Sequence, residues 1–367
     1  MDDSSPIIRT TPELEDVCAK AHAAGVVALD TEFVWTRTYR PRLGLVQIGT
    51  PDDCWGLDCL QGLHPAALGD LIADPSVTKI LHDARQDLEL LWHYTGAKPQ
   101  NVFDTQCAAG FAGLSSKIGL QKLLEETLNV GLAKTETCTD WTQRPLTDAQ
   151  VRYALDDVRY LAELRQALIA RAESLGTRAW LDEELKRYDE PGLYADADPQ
   201  AAWRRIKTAK LRLEPRHFAV LRAVAAVREA AAQEWNLPRN WLGDDQSLVD
   251  MAFKGRAGFF RHRLHGGQRD AIAARYAAAI KEAFVLPPEE WPSDPRPHYI
   301  RDVLEAADKA IEWLRTRAEE IHVDAVLIAS RATVTAFIDN PDDAENVLAS
   351  GWRYESVGRA MLEKFAV

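Results

Sequence analysis

Over its first 110 or so residues the chain alternates short β-branched runs with stretches of helical periodicity, and beyond them the helical pattern takes over. The runs are 26–29, 43–48, 54–57, 77–81 and 101–103. The first three follow one another across turn-like punctuation, Arg40-Pro41 and Gly49-Thr50-Pro51-Asp52, which predicts an antiparallel meander. The last two alternate with helical stretches at 65–73 and 84–94, the pattern of α/β crossovers. From about 104 to 190 the spacing is helical, ending in one long segment from Thr147 to about residue 175, with Gln150 placed to complete a capping box. A chain ordered this way is expected to form an α/β domain, a mixed sheet flanked by helices, followed by all-α helical bundle domains.

A length of 367 residues implies two or three domains. Tyr188-Asp189-Glu190-Pro191-Gly192 and Asp196-Ala197-Asp198-Pro199 read as a first linker, and the proline-rich stretch 286–297 as a second. The expected domains are therefore 1–195, 205–290 and 298–367. The formal charge of -12 speaks against a nucleic-acid partner until it is resolved along the chain. Residues 1–200 carry -13, residues 201–290 carry +6 and residues 291–367 carry -5. A basic middle between acidic parts suits one module that holds a polyanion and another that needs carboxylates. No apolar stretch is long enough to cross a membrane and the first residues lack a signal peptide's pattern, so the expected location is cytoplasmic. Five scattered cysteines fit no disulfide framework; Cys54 and Cys59 with His64 offer a metal alternative to ordinary reduced thiols.

The acids carry the chemistry. Asp30 and Glu32 follow an apolar run at i and i+2, so both point to one side of a strand, lining it with carboxylates unless this is merely an exposed strand end. Asp87 falls in the first turn of a helix entered from Leu81-His82-Asp83-Ala84, where the helix dipole alone favours an acid. Tyr153 and Asp157 stand four apart on one helical face, while Asp156 lies about 100° round and reads as a surface charge. One strand with two acids and two helices with one each make a constellation that binds two hard divalent cations through oxygen. Two such ions about 4 Å apart stabilise the attacking and leaving oxygens of an in-line phosphoryl displacement. The Tyr153 hydroxyl is suited to orient the attacking water.

The order D-x-E, D, Y-x-x-x-D resembles the tyrosine-bearing DEDD 3′-to-5′ exonucleases, and more closely those of the ribonuclease D family. The resemblance runs through Asp30-Thr31-Glu32-Phe33, Thr38-Tyr39-x-Pro41-x-Leu43-x-Leu45-x-Gln47, Leu81-His82-x-Ala84-x-Gln86-Asp87-Leu88-Glu89, Phe103-Asp104-Thr105-Gln106, Trp141-x-x-Arg144-Pro145-Leu146 and Tyr153-Ala154-x-x-Asp157-Val158, covering residues 8 to 175. It implies a ribonuclease H-like fold, two Mg²⁺ or Mn²⁺ ions, and removal of 3′-terminal nucleotides from RNA as 5′-monophosphates, transfer RNA precursors included. Carried over, Asp30, Glu32, Asp87 and Asp157 become metal ligands and Tyr153 the water-orienting residue. Trp35 departs from the family, which often has a basic residue there. Residues 210–290, with Arg222, Arg228, Leu237-Pro238-Arg239-Asn240-Trp241-Leu242 and Asp245-x-x-Leu248, resemble an HRDC domain, a nucleic-acid-binding module. Residues 298–367 resemble a second, more divergent copy, whose acidic balance suits scaffolding.

Substrate contacts are open at several positions. Arg204, Arg205, Lys207, Lys210 and Arg212 either meet phosphates or form a solvated helix face. His82 either touches the terminal nucleotide or is a hydrogen-bonded structural histidine. Phe33 either stacks on a terminal base or packs in the core. A helicase is disfavoured, since no G-x-x-x-x-G-K-[ST] loop exists to hold a nucleotide cofactor. A DNA-directed 3′-to-5′ exonuclease of repair or proofreading type would use the same acids, and a non-catalytic RNA-binding protein would be expected to lack one or more of them. The expected partner is RNA, met by a monomer with no membrane association.

Overall fold

The short strand β1 (Ile7–Ile8) leads into helix α1 (Thr11–Ala24), whose start is fixed by a reciprocal capping box between Thr10 and Glu13. Gly25, at φ 65°, ends that helix in the left-handed region and turns the chain into β2 (Val26–Val34). Strands β3 (Arg42–Gly49) and β4 (Cys54–Asp58) follow, then α2 (Ala66–Ala73), β5 (Thr78–Leu81), α3 (Arg85–Thr95) and β6 (Val102–Asp104). The sheet order is β1-β4-β3-β2-β5-β6. β3 and β4 are antiparallel, with Leu45 opposite Asp58, as the meander reading expects. β5 is parallel to both β2 and β6, as the crossovers require. β1 pairs parallel with β4 and was not expected, because two residues carry no periodicity.

The computed structural model describes residues 6–132, 139–207, 213–258, 264, 267–294 and 297–365. Four helices, α4 (Thr105–Phe111), α5 (Leu120–Leu128), α6 (Asp148–Arg159) and α7 (Leu161–Leu175), come after the sheet, with α8 (Arg178–Leu185) behind them. The segment read as one helix from Thr147 to about residue 175 is thus two, divided at Tyr160. Ala154, Leu155, Val158, Leu161 and Leu164 keep helical spacing across the break, so periodicity alone does not reveal it. The Thr147–Gln150 capping box is formed as expected.

The chain divides into two compact units, and they differ from the three domains read from sequence. One unit comprises Met1–Val34, Leu43–Tyr194 and Tyr299–Val367; the other comprises Trp35–Arg42 and Ala195–His298. The second holds α9 (Pro215–Trp235), α10 (Arg239–Leu242), α11 (Asp245–Lys254) and α12 (Gly267–Val285) around Phe218, Leu221, Val224, Leu248, Ile272 and Tyr276. Within it, Tyr39 donates its hydroxyl to Glu229 at 2.6 Å while the Arg239 guanidinium sits 4.5 Å from the centre of its ring. The Asn236 side-chain oxygen accepts the backbone N–H groups of Tyr39 and Arg40 at 3.1 and 3.0 Å.

The last helices, α13 (Arg301–Glu320), α14 (Ala325–Ile328), α15 (Arg331–Asp339), α16 (Gly351–Arg353) and α17 (Arg359–Phe365), belong to the first unit. Where the sequence suggests a separate module over 298–367, Val303, Leu314, Val334, Phe337 and Trp352 enter the same apolar core as the sheet. Trp352 stacks on Trp180, ring centres 5.9 Å apart, meets Phe111 edge-on at 5.1 Å and donates its indole N–H to Glu184 at 3.1 Å. Asp324 accepts the amide and hydroxyl of Ser116 at 2.6 and 2.9 Å. Among the described residues no helix is long and apolar enough to cross a membrane.

Candidate active site

Three acids converge at the middle of the sheet. Asp30 and Glu32 project from β2 and Asp157 from α6, and one carboxylate oxygen from each lies within 4.8 Å of the others. α6 presents Asp157 because Ala154, Leu155 and Val158 face inward around it. Asp87, in the first turn of α3, is the fourth: the Thr31 hydroxyl of β2 donates to its carboxylate, and its charge acts directly on Asp30. The sequence thus named four acids that the fold brings together. Asp156 points outward to Arg159 at 3.0 Å, as a surface charge should.

The turn that delivers Asp87 is held from behind. Asp83 sits at φ 57°, and its amide and that of Ala84 donate to Asp104 at 3.2 and 3.1 Å. Asp104 also caps α4 through the amides of Gln106 and Cys107 and accepts the Tyr188 hydroxyl. Asp104 stands in the motif Phe103-Asp104-Thr105-Gln106, and an aspartate directly before a helical stretch is a legible N-cap signal that the motif alone does not bring out.

Burial, reinforced by like charge, sets the electrostatics. Burial, then Asp87, Asp157 and Glu32, push the Asp30 carboxyl well above the carboxylate range. Burial, then Asp157 and Asp87, raise Glu32 to about 8. Asp87 and Asp157 are each raised to about 7, chiefly by burial, against the hydrogen bonds from Thr31 and Tyr153 respectively. Burial and then the neighbouring acids also push the Tyr153 phenol upward, so it remains a donor, and it hydrogen-bonds Asp157. Its ring lies 6.2 Å from that of Trp141, centre to centre. Such a group of acids ionises fully only when positive charge offsets it. The donors are all oxygen, the set preferred by hard divalent cations, so the residues fit a divalent metal.

The other candidates are distributed differently. His82 is partly buried, its Nδ1 3.0 Å from the Thr105 hydroxyl, and burial lowers its pKa, which suits the structural reading. Phe33 is partly buried just beyond Glu32. Arg204, Arg205 and Lys207 are exposed in the second unit, and Lys210 and Arg212 lie outside the described residues. Arg228 is spent internally on Asp245 at 2.8 Å and the Gly243 carbonyl at 3.1 Å. Trp35 is 60% exposed. Cys54, Cys59 and His64 form no metal cluster among the described residues, and Cys138 lies outside them.

A mixed sheet bearing two acids on its central strand, completed by acids from α3 and α6, defines a carboxylate-dependent 3′-to-5′ exonuclease fold, and a family model described as a 3′-5′ exonuclease matches residues 6–172. A ribonuclease D from Nitrobacter hamburgensis is 34% identical over 97% of this chain and 94% of its own length. Another from Desulfotalea psychrophila is 42% identical over 67% of this chain and 66% of its own. The crystal structure of Escherichia coli RNase D, described as an exoribonuclease involved in structured RNA processing, superposes with a TM-score of 0.85 at 29% identity, covering 98% and 99% of the two chains. The chain belongs to the ribonuclease D family.

Proposed function

We propose that this 3′-to-5′ exoribonuclease removes 3′-terminal nucleotides from RNA, transfer RNA precursors among them, as a cytoplasmic monomer using two divalent cations, Mg²⁺ or Mn²⁺. The observation that carries the reading is the meeting of Asp30, Glu32 and Asp157 oxygens within 4.8 Å, with Asp87 against Asp30 and the Tyr153 hydroxyl on Asp157. Asp30, Glu32, Asp87 and Asp157 would hold the cations. When bound, such cations stabilise charge on the attacking and leaving oxygens of an in-line displacement at phosphorus.

The chain's own part is positional. Tyr153, kept protonated, orients the water that attacks the terminal phosphodiester; the 3′ oxygen of the preceding nucleotide leaves, releasing a 5′-monophosphate and a shortened RNA with a 3′-hydroxyl. The partly exposed Phe33 ring, next to Glu32, stacks on the terminal base of a free 3′ end. The second unit, whose residues 201–290 carry +6, is read as HRDC-like and holds the RNA backbone through groups such as Arg204, Arg205, Lys207 and Lys210.

The test is end-labelled degradation of matched RNA and DNA strands, each with a free or phosphate-blocked 3′ end, in Mg²⁺, Mn²⁺ or chelator. Stepwise 3′ shortening of RNA that needs metal and Asp30 supports the proposal. Equal or faster cutting of DNA moves it to a repair or proofreading exonuclease.

A further inference from the structure

The connection from α5 to α6 ends in a segment tied down far more firmly than a loop needs to be. Arg144 donates Nε and Nη2 to the two oxygens of Asp58 at 2.8 and 2.6 Å, Nη2 again to the Gly44 carbonyl at 2.8 Å, and Nη1 to the carbonyls of Trp141 and Gln143 at 2.9 and 2.7 Å. Asp58, at the end of β4, is only 2% exposed and also accepts the Leu60 amide and the Gln61 side chain, both at 3.1 Å. A two-pronged pair of this kind fixes orientation as well as distance. On β3, Gly44 leaves room for nothing more: a methyl there would stand 2.4 Å from the Trp141 carbonyl oxygen.

What this latch holds is Trp141. Its indole is 4% exposed and sits in a small apolar cluster of its own with Ile7, Leu45 and Ala154, at whose edge lies Tyr153. The two rings face each other at 6.2 Å with a 31° tilt. The hydroxyl at the far end of the Tyr153 ring is the one that hydrogen-bonds Asp157. A continuous chain of contacts therefore runs from Asp58 through Arg144, the Trp141 backbone and the Trp141 ring to the Tyr153 hydroxyl.

We propose that Arg144 is a positioning residue for the reaction, setting the Tyr153 hydroxyl through Trp141. This rests on the role given to Tyr153 above. A hydroxyl that orients a water loses most of its value when displaced by a fraction of an ångström, whereas substrate held elsewhere is bound as before. The effect of loosening the latch falls on kcat and is visible only while the hydroxyl is present.

The experiment is a double-mutant comparison on a short 3′-hydroxyl RNA, using the full chain with Mn²⁺. Arg144→Lys keeps the charge and loses the fork; Trp141→Phe keeps the latch and shrinks the wall behind Tyr153. Each is expected to lower kcat about tenfold with KM within about twofold of wild type. In a Tyr153→Phe background the same substitutions should change kcat by less than about twofold, while the fall in melting temperature stays the same in both backgrounds. An equal loss of kcat with and without the hydroxyl overturns the proposal, since a merely structural role is additive. Wild-type kcat in both Arg144→Lys and Trp141→Phe also overturns it. A wild-type rate for Tyr153→Phe alone removes the role of the tyrosine itself, and is read separately from the latch.

Discussion

In metal-free protein the active-site acids oppose folding, and neutralising one of them should stabilise it. Asp157→Asn removes a carboxylate that burial and neighbouring charge hold at about 7, yet keeps an oxygen to accept the Tyr153 hydroxyl. At 4.8 Å and an effective dielectric constant of about 20, one fully ionised pair repels by about 3.5 kcal/mol. Proton sharing within the group reduces this, so about 1–2 kcal/mol is expected to be recovered at pH 8. For a unit of this size that is a rise of about 3–6 °C in melting temperature. The sign with pH follows from linkage. These acids hold protons more tightly folded than unfolded, so stability is lost as pH rises from about 4 through 7–8, and the advantage of the Asp157→Asn variant should fade by pH 5. The assay is a thermal melt with chelator at pH 5 and pH 8, repeated with Mn²⁺. The wild type should gain on adding metal and the variant should gain less. A lower melting temperature for the variant in chelator at pH 8 would falsify the electrostatic reasoning.

Three further outcomes follow from the same geometry. Asp30→Asn should abolish hydrolysis with an unchanged circular dichroism spectrum; appreciable turnover would take Asp30 out of the mechanism. Tyr153→Phe keeps the ring against Trp141 and should slow turnover by about 10²-fold, measured at saturating RNA. Trp352→Ala empties a site lined by Trp180 and Phe111, and should cost about 3–5 kcal/mol in denaturant unfolding of the catalytic unit. An unchanged midpoint would mean that the last helices fold apart from the sheet.

The acids were legible because their spacing is local. Alternation along β2 pairs Asp30 with Glu32, and one helical turn pairs Tyr153 with Asp157, so two of the site's three pieces are each written in five residues or fewer, the third being Asp87 in the first turn of α3. The support behind them was not legible. Arg144 and Asp58 are 86 positions apart, and Tyr188 reaches Asp104 across 84, separations at which no pattern of spacing carries information. The difference between the boundary at 298 and the structural division has a similar cause. Val303, Ala307, Ala310, Leu314 and Ala318 mark the buried face of α13 but say nothing of what covers it. A bundle partner and the core of the sheet domain leave the same stripe. Arg40-Pro41 reads as turn punctuation, although Tyr39 beside it anchors segment 35–42 among the helices of the second unit.

The shared core of the first unit has a consequence for how the polypeptide is made. Residues 195–298 interrupt it, so synthesis completes the sheet long before the helices that seal its flank exist. The intervening unit draws most of its core from a contiguous stretch and has no such wait, apart from the earlier segment around Tyr39. Until residues 299–365 leave the ribosome, Phe111, Trp180 and their neighbours are left without Trp352 and stay open to water, proteases or chaperones. A ribosome stalled anywhere within residues 195–298 would therefore hold a chain with all four clustered acids made and the first unit unfinished.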